Sequence, residues 1–146
     1  MEGHIFVTFF ALEVCIRFQN LCFAANRGAG IIKIMIFSES LKKNHQFQLV
    51  YQENRSYANK YLVMYLRENG TERNRVGISV SKKVGNSVVR HRITRLVRES
   101  YRLQEAVFNS GLDIVIVARK RAAFAGYGEI ENALLSLGRL HHIISL

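Results

Sequence analysis

The stretch that decides the fold is RNRVGISVSKKVGNSVVRHRITRLVRESYR, residues 73–102. In its first part, residues 75–81, Val76, Ile78 and Val80 alternate with small residues. This period of two predicts a half-buried β-strand. In its second part the apolar residues recur at three- and four-residue spacing, which predicts an amphipathic α-helix. The stretch is therefore predicted to form a strand, a loop and a long helix.

The predicted loop carries Lys82, Lys83 and Gly85 and leads into the helix. Asn86 or Ser87 can accept a hydrogen bond from the free amide groups of the first helical turn. A glycine lets the backbone come close to a ligand, and a helix amino terminus favours phosphate. A plain turn is the simplest alternative, but the basic residues on both sides favour a binding site.

The predicted helix has an apolar face and a basic face. With about 100° per residue, its apolar positions fall within an arc of roughly 120°. These positions are Val89, Ile93, Leu96, Val97, Ser100, Leu103 and Val107. The basic face carries His91, Arg95, Arg98 and Arg102, with Arg90 and Arg92 at its two sides. Like charges at these spacings repel one another, and a polyanion would relieve that repulsion.

The charge of the chain points to a polyanionic partner. Of the formal net charge of +10, residues 73–102 contribute +8, from nine basic residues and one acidic residue, Glu99. Nucleic acid and an anionic membrane surface both fit this charge. A membrane-surface helix would place large apolar residues beside the arginines, whereas here they lie opposite. Arginine suits phosphate contacts and stacking on unpaired bases, so RNA is favoured. A reader of double-stranded DNA fits the charge alone, without a recognisable motif.

No catalytic or metal-binding pattern is found in the sequence. Cys15 and Cys22 lack CxxC spacing, and the five histidines form no ligand pattern. The adjacent His141 and His142 are expected to lie on the surface. The predicted catalytic and metal-binding sets are therefore empty.

The flanking sequence predicts one α+β domain. Ser40 or Asn44 is the expected cap of a first helix, and Asn69 followed by Gly70 marks a turn. The other predicted elements are strands at 61–66 and 112–118 and a closing helix at 129–142. This order gives a single sheet packed with helices, with the long helix as the crossover between two strands.

Residues 1–34 differ from the rest of the chain. They are largely apolar, but they lack a basic region before the apolar stretch, and Glu13, Arg17 and Arg27 interrupt it. Met35 is a plausible alternative start, because regular patterning begins just after it. An additional structural element and a weak membrane-associating segment are the two other interpretations of this stretch. We expect residues 1–34 to be a non-native or disordered N-terminal extension, and residues 35–146 to be the domain.

The segment VGISVSKKVGNSVVRHRITRLVRE closely resembles the signature of the bacterial ribonuclease P protein family. The resemblance extends from LKKNHQFQLVY and RSYANKYLVMYL through GLDIVIVARK to the last helix, about three quarters of the chain. It implies an α+β fold with αβββαβα order and a left-handed βαβ crossover. It also departs from the family at His91, where asparagine is usual, and at Thr94, where lysine is frequent.

The resemblance implies a protein subunit of an endoribonuclease that removes the 5′ leader of precursor tRNA. The implied partners are the catalytic RNA and precursor tRNA, with no membrane and no obligatory protein partner, in the cytoplasm. Magnesium is implied as a cofactor of the RNA subunit, which performs the hydrolysis. The alternative is a ribosomal or tRNA-modification accessory protein that binds RNA without a role in leader cleavage.

Two sets of site residues follow from the resemblance. The arginine-rich helix motif, which contacts the RNA subunit, falls on Arg90, His91, Arg92, Arg95 and Arg98. With the neighbouring basic residues, the predicted RNA-binding set also contains Lys82, Lys83 and Arg102. The cleft that holds the single-stranded leader corresponds to Phe47, Tyr51 and Tyr65, although these aromatics could also be plain core residues.

Overall fold

The computed structural model describes residues 38–144, which form a five-stranded sheet with three α-helices packed against it. The strands are β1 (Ser38–Ser40), β2 (Ser56–Ala58), β3 (Leu62–Glu68), β4 (Asn74–Ser79) and β5 (Leu112–Ala118). The helices are α1 (Asn44–Gln52), α2 (Ser87–Gln104) and α3 (Tyr127–Leu140). The predicted extension at residues 1–34 lies outside the described residues, so its boundary stays a prediction.

The sheet has the order β1-β4-β5-β3-β2 and mixes parallel and antiparallel pairs. Strands β1, β4 and β5 are parallel, whereas β3 pairs antiparallel with both β5 and β2. Helix α2 is the crossover between the adjacent strands β4 and β5. The start of α2 therefore lies at the same end of the sheet as the segment that follows β5. The predicted αβββαβα order is confirmed, with the unpredicted β1 in front of it.

The main core lies between one face of the sheet and helices α2 and α3. Alternate residues of the central strands point into it, among them Leu62, Met64 and Ile116, which are fully buried. Ile93 of α2 and Leu134 of α3 pack on them. Each such side chain contributes about 1.5–3 kcal/mol when it leaves water. The two long helices are thus fixed to the sheet by their apolar faces, which leaves their outer faces for other contacts.

Helix α1 covers only part of the opposite face of the sheet. Val50 is fully buried there against Leu41 and Val115. Three aromatic side chains, Phe47, Tyr51 and Tyr65, pack at the edge of this smaller cluster and are only partly buried. This face therefore combines a small core with an open aromatic surface.

The predicted caps of the first helix are wrong. Helix α1 begins at Asn44, after Lys43, and Ser40 belongs to β1 instead. The side-chain oxygen Oε1 of Gln46 accepts hydrogen bonds from the backbone amides of Lys42 and Lys43, at 3.3 and 3.1 Å. The start of the helix is thus stabilised by a glutamine inside its first turn, a variant of the capping box.

The apolar stripe predicted for α2 is correct except at its carboxyl end. Leu103 is exposed, and the neighbouring Tyr101 is fully buried instead. The Tyr101 hydroxyl lies 3.0 Å from Oγ of Ser38 and accepts a hydrogen bond from Nδ2 of Asn74 at 3.3 Å. Polar partners on β1 and β4 thus let this tyrosine enter the core.

The expectation that His141 lies on the surface is wrong, because it is buried just after α3. Its Nε2 lies 3.1 Å from the carbonyl oxygen of Met64, and its ring meets that of Tyr57 edge to face at 4.7 Å. Burial lowers the pKa of His141 below its ordinary value of 6.5 and outweighs the opposing hydrogen bond to Met64. His142, the next residue, is exposed as predicted.

We expect this buried histidine to make the stability of the domain fall in mild acid. Below the ordinary pKa of 6.5 the unfolded chain takes up a proton that the folded His141 resists, so stability present above pH 6.5 is lost as the pH falls. The slope is at most about 1.4 kcal/mol per pH unit for one proton. Urea unfolding between pH 7.5 and 5.5 measures it. His141→Gln should flatten the slope and the exposed His142→Gln should not; equal slopes in both variants would contradict the assignment.

Within residues 38–144, no helix is both long and apolar enough to cross a membrane.

Candidate nucleic-acid interface

The local structure at the start of α2 matches the sequence pattern. The side-chain oxygen Oδ1 of Asn86 accepts a hydrogen bond from the backbone amide of Val89 at 3.0 Å, so Asn86 is the N-cap. Gly85 is packed so closely that an added Cβ would lie 2.9 Å from Cγ1 of Val89. The glycine therefore has a packing role. It lets the loop 80–86 turn tightly into the helix, which fixes the basic residues on both sides of the turn.

Six of the predicted RNA-binding residues are exposed around this turn and along the outer face of α2, and five of these have side chains without an internal partner among the described residues. The five are Lys82, Lys83, His91, Arg95 and Arg98. Within the described chain, none of their side chains makes a hydrogen bond or an ion pair with another residue. We call these five residues the α2 basic surface. Their polar groups remain available to an external anion.

Of the other three predicted RNA-binding residues, Arg92 and Arg102 make contacts inside the protein and Arg90 is half-buried. The guanidinium group of Arg92 donates to the carbonyl oxygens of Ala123 and Ala125, at 3.2 and 2.8 Å. Arg102 forms an ion pair with Glu99 at 2.7 Å, so the carboxylate offsets the positive charge of this arginine. Arg90 is half-buried, with its Nε shielded from solvent. The structure therefore divides the predicted set in two. The side chains of the α2 basic surface are exposed without an internal partner in the described part of the chain, whereas Arg92 and Arg102 make contacts inside the protein and Arg90 is half-buried.

The sequence prediction did not include a second group of basic residues. Arg119, Lys120 and Arg121 follow β5 directly and are exposed. Residues 119–126, which we call the post-β5 loop, reach the first turns of α2 through the hydrogen bonds of Arg92. Three consecutive basic residues at the end of a predicted central strand were the signal that could have found them.

The three predicted cleft aromatics lie together on the open face of the sheet. The rings of Tyr51 and Tyr65 meet edge to face with centroids 4.9 Å apart. The ring of Phe47 lies over Gly77, where an added Cβ would be 2.6 Å from ring carbons. Burial raises the pKa of the Tyr51 hydroxyl, against the opposing effect of a hydrogen bond with Ser79. All three rings are half-buried, so each still offers part of its surface to solvent.

Beside this aromatic group, the same face of the sheet carries a partly buried ion pair. Arg75 donates two hydrogen bonds of 2.7 Å to the two carboxylate oxygens of Asp113. Asn69 donates a third, at 3.0 Å. Because Asp113 is almost fully buried and Arg75 is not, the pair fixes an arginine at the surface. Across the described residues, no group of three or more His, Cys, Asp or Glu side chains is placed to hold a metal ion.

A mixed sheet with a basic crossover helix on one side and a group of partly exposed aromatics on the other defines an α+β domain of an RNA-binding class. The sequence model of the Ribonuclease P family matches residues 35–140, and the chain belongs to this family. In it, the protein is one part of a tRNA-processing endoribonuclease whose catalysis is carried by RNA.

Individual relatives agree with this assignment. A ribonuclease P protein component from Lachnoclostridium phytofermentans is 63% identical over 108 residues, which cover 74% of this chain and 93% of that protein. The solved RNase P protein of Staphylococcus aureus is 34% identical with a TM-score of 0.67, over 73% of this chain and 97% of that one. The protein from Thermotoga maritima is 33% identical with a TM-score of 0.64, over 69% and 96%. Sequence and fold thus lead to the same family.

Proposed function

We propose that this chain binds the catalytic RNA of ribonuclease P through the α2 basic surface and holds the 5′ leader of precursor tRNA on the aromatic face of the sheet. In this way it promotes the endonucleolytic 5′ maturation of tRNA in the cytoplasm. The observation that carries the proposal is the separation of the two surfaces. The exposed basic side chains lie on α2 and the loop before it, and the partly exposed aromatic rings lie on the other side of the sheet.

The α2 basic surface suits a folded RNA. Its arginines project from a helix whose inner face is fixed by Ile93 and Val97, so their spacing is set before binding. The planar guanidinium group loses less conformational entropy for each hydrogen bond to phosphate than a lysine ammonium group does. Arg90, Arg92 and Arg102 belong to the same interface, but the internal contacts of Arg92 and Arg102 and the partial burial of Arg90 make Arg95 and Arg98 the stronger contributors.

The aromatic face suits a single strand. Phe47, Tyr51 and Tyr65 offer ring surface without a fixed set of hydrogen-bonding groups, and stacking on such rings accepts any base. A leader varies in sequence among precursor tRNAs, so sequence-tolerant stacking is the appropriate mode of binding. The ring of Phe47 packs on Gly77, and the rings of Tyr51 and Tyr65 pack on each other. These contacts hold the three rings in place while part of each ring stays exposed to solvent.

We assign the magnesium ions to the RNA subunit. Asp113 is the buried carboxylate nearest the aromatic face, and three donated hydrogen bonds already occupy it. Binding a metal there would require breaking the bidentate pair with Arg75. The protein then contributes by holding RNA and leader in place, and the ions and the attacking water belong to the RNA.

The test is leader cleavage by a bacterial ribonuclease P RNA at low magnesium, with and without the protein. We expect the protein to increase the cleavage rate because its cations reduce the phosphate repulsion that magnesium otherwise screens. Protein without RNA should not cleave. RNA binding without faster cleavage would favour an accessory ribosomal or tRNA-modification protein. Cleavage by RNA-free protein after ribonuclease pretreatment would overturn the assignment of chemistry to RNA.

A further inference from the structure

Phe124, in the post-β5 loop, is an aromatic residue that the fold does not use. It is 91% exposed, the highest value among the large hydrophobic side chains of residues 38–144. An aromatic ring left in water forfeits the stabilisation that burial would give it. A ring in this position therefore calls for a partner outside the domain.

The backbone around Phe124 is held firmly. Ala122 and Ala125, on either side of it, are buried, and the amide of Ala125 donates to the carbonyl of Ala122 at 3.3 Å. The two hydrogen bonds from Arg92 hold the carbonyls of Ala123 and Ala125. The ring is thus presented outwards from a fixed turn, and a partner would not have to order the loop.

The surroundings of Phe124 are cationic. Lys120 and Arg121 are exposed in the same turn. Arg92 ties this turn to α2, so the loop adjoins the α2 basic surface. A partner must therefore be a polyanion that also offers flat apolar surfaces. An RNA with an unpaired nucleotide has both properties, because its bases stack and its phosphates carry the charge.

We propose that Phe124 stacks on an unpaired base of the RNA that the α2 basic surface binds, with Lys120 and Arg121 at the flanking phosphates. The site extends the interface from α2 onto the post-β5 loop. It gives the protein a contact with a base in addition to its contacts with phosphates. This inference rests on the proposed function, since it requires the same RNA.

A fluorescent variant tests the stacking directly. The chain contains no tryptophan, so Phe124→Trp introduces a single indole into the whole protein. Stacking on a base should quench its emission when a bacterial ribonuclease P RNA is added to saturation. The control is Leu140→Trp, at a partly exposed position at the other end of α3, about 20 Å along the helix. Quenching at position 124 alone supports the proposal, whereas equal quenching at both positions or none at 124 overturns it.

Affinity for the same RNA gives the second measurement. Phe124→Ala should weaken binding by about 5- to 150-fold, the range for loss of one stacked base, and Phe124→Tyr should restore it. Because the side chain is exposed, the melting temperature should not change. Unchanged affinity in Phe124→Ala overturns the stacking while the proposed function stands. If the wild-type chain fails to bind the RNA, both the stacking of Phe124 and the proposed function are wrong. Loss of self-association in Phe124→Ala, with RNA affinity unchanged, would instead assign the ring to contacts between copies of this chain.

Discussion

Replacing Arg95 and Arg98 together by glutamine is expected to weaken binding of the catalytic RNA by roughly 25- to 60-fold at 0.1 M salt. This range assumes that each arginine neutralises one phosphate, with a slope of about 0.7 to 0.9 for each contact. Both side chains are exposed on α2, so the variant should fold normally. A plot of log affinity against log salt should become shallower by about 1.4 to 1.8 units.

The matched control removes the same charge from other surfaces. Arg73 lies before β4, paired with Glu39, and Arg139 lies in the last turn of α3. The double variant Arg73→Gln, Arg139→Gln should keep most of the affinity and the salt slope. If the two double variants lost affinity equally, net charge alone would govern binding, and the assignment to α2 would be wrong.

Replacing Phe47 by alanine is expected to weaken the binding of precursor tRNA to the assembled holoenzyme by about 1–3 kcal/mol, the value of one stacked base. Mature tRNA, which lacks the leader, should bind as before. The affinity of the protein for the RNA subunit should also stay the same, because Phe47 is on the face of the sheet opposite α2. Binding of both tRNAs to holoenzyme made with each variant measures the effect.

A neighbouring residue of α1 provides the control for this second prediction. Leu49 is partly exposed on the same helix but lies outside the aromatic group, so Leu49→Ala should leave the preference for precursor tRNA unchanged. The melting temperature of each variant separates loss of packing from loss of binding. A folded Phe47→Ala protein that still prefers precursor tRNA to the normal degree would show that Phe47 is a core residue only.

The sequence predicted those features that depend on neighbours along the chain. The alternation of β4, the cap at Asn86 (one of two predicted positions) and the buried stripe of α2 as far as Ser100 are local patterns, and each was found in the structure. The features it missed depend on distant partners. His141 is buried because the carbonyl of Met64 and the ring of Tyr57 lie beside it, and nothing in residues 129–142 encodes that.

The candidate site divides in the same way. Periodicity placed Arg92 with the other arginines of α2, but its bonds to the carbonyls of residues 123 and 125 span more than thirty positions of sequence. The ion pair of Glu99 and Arg102 was not predicted, and only the geometry gives its 2.7 Å contact. The exposure of Phe124 likewise depends on how the loop after β5 packs. The sequence therefore predicts which side chains share a helix face better than it predicts which of them make contacts inside the protein.

The position of α2 in the chain, between two adjacent parallel strands, couples the proposed RNA contact to completion of the fold. Its arginines repel one another, and the helix gains its stability from packing on a sheet whose strands β4 and β5 flank it in the chain. An incompletely folded chain would not hold those charges on one helix face, so the proposed contact with RNA requires the finished domain. Binding in turn adds stability by mass action, about 2.7 kcal/mol when free RNA exceeds its dissociation constant a hundredfold. If the protein is degraded from its unfolded state, its lifetime would then increase with the concentration of free RNA.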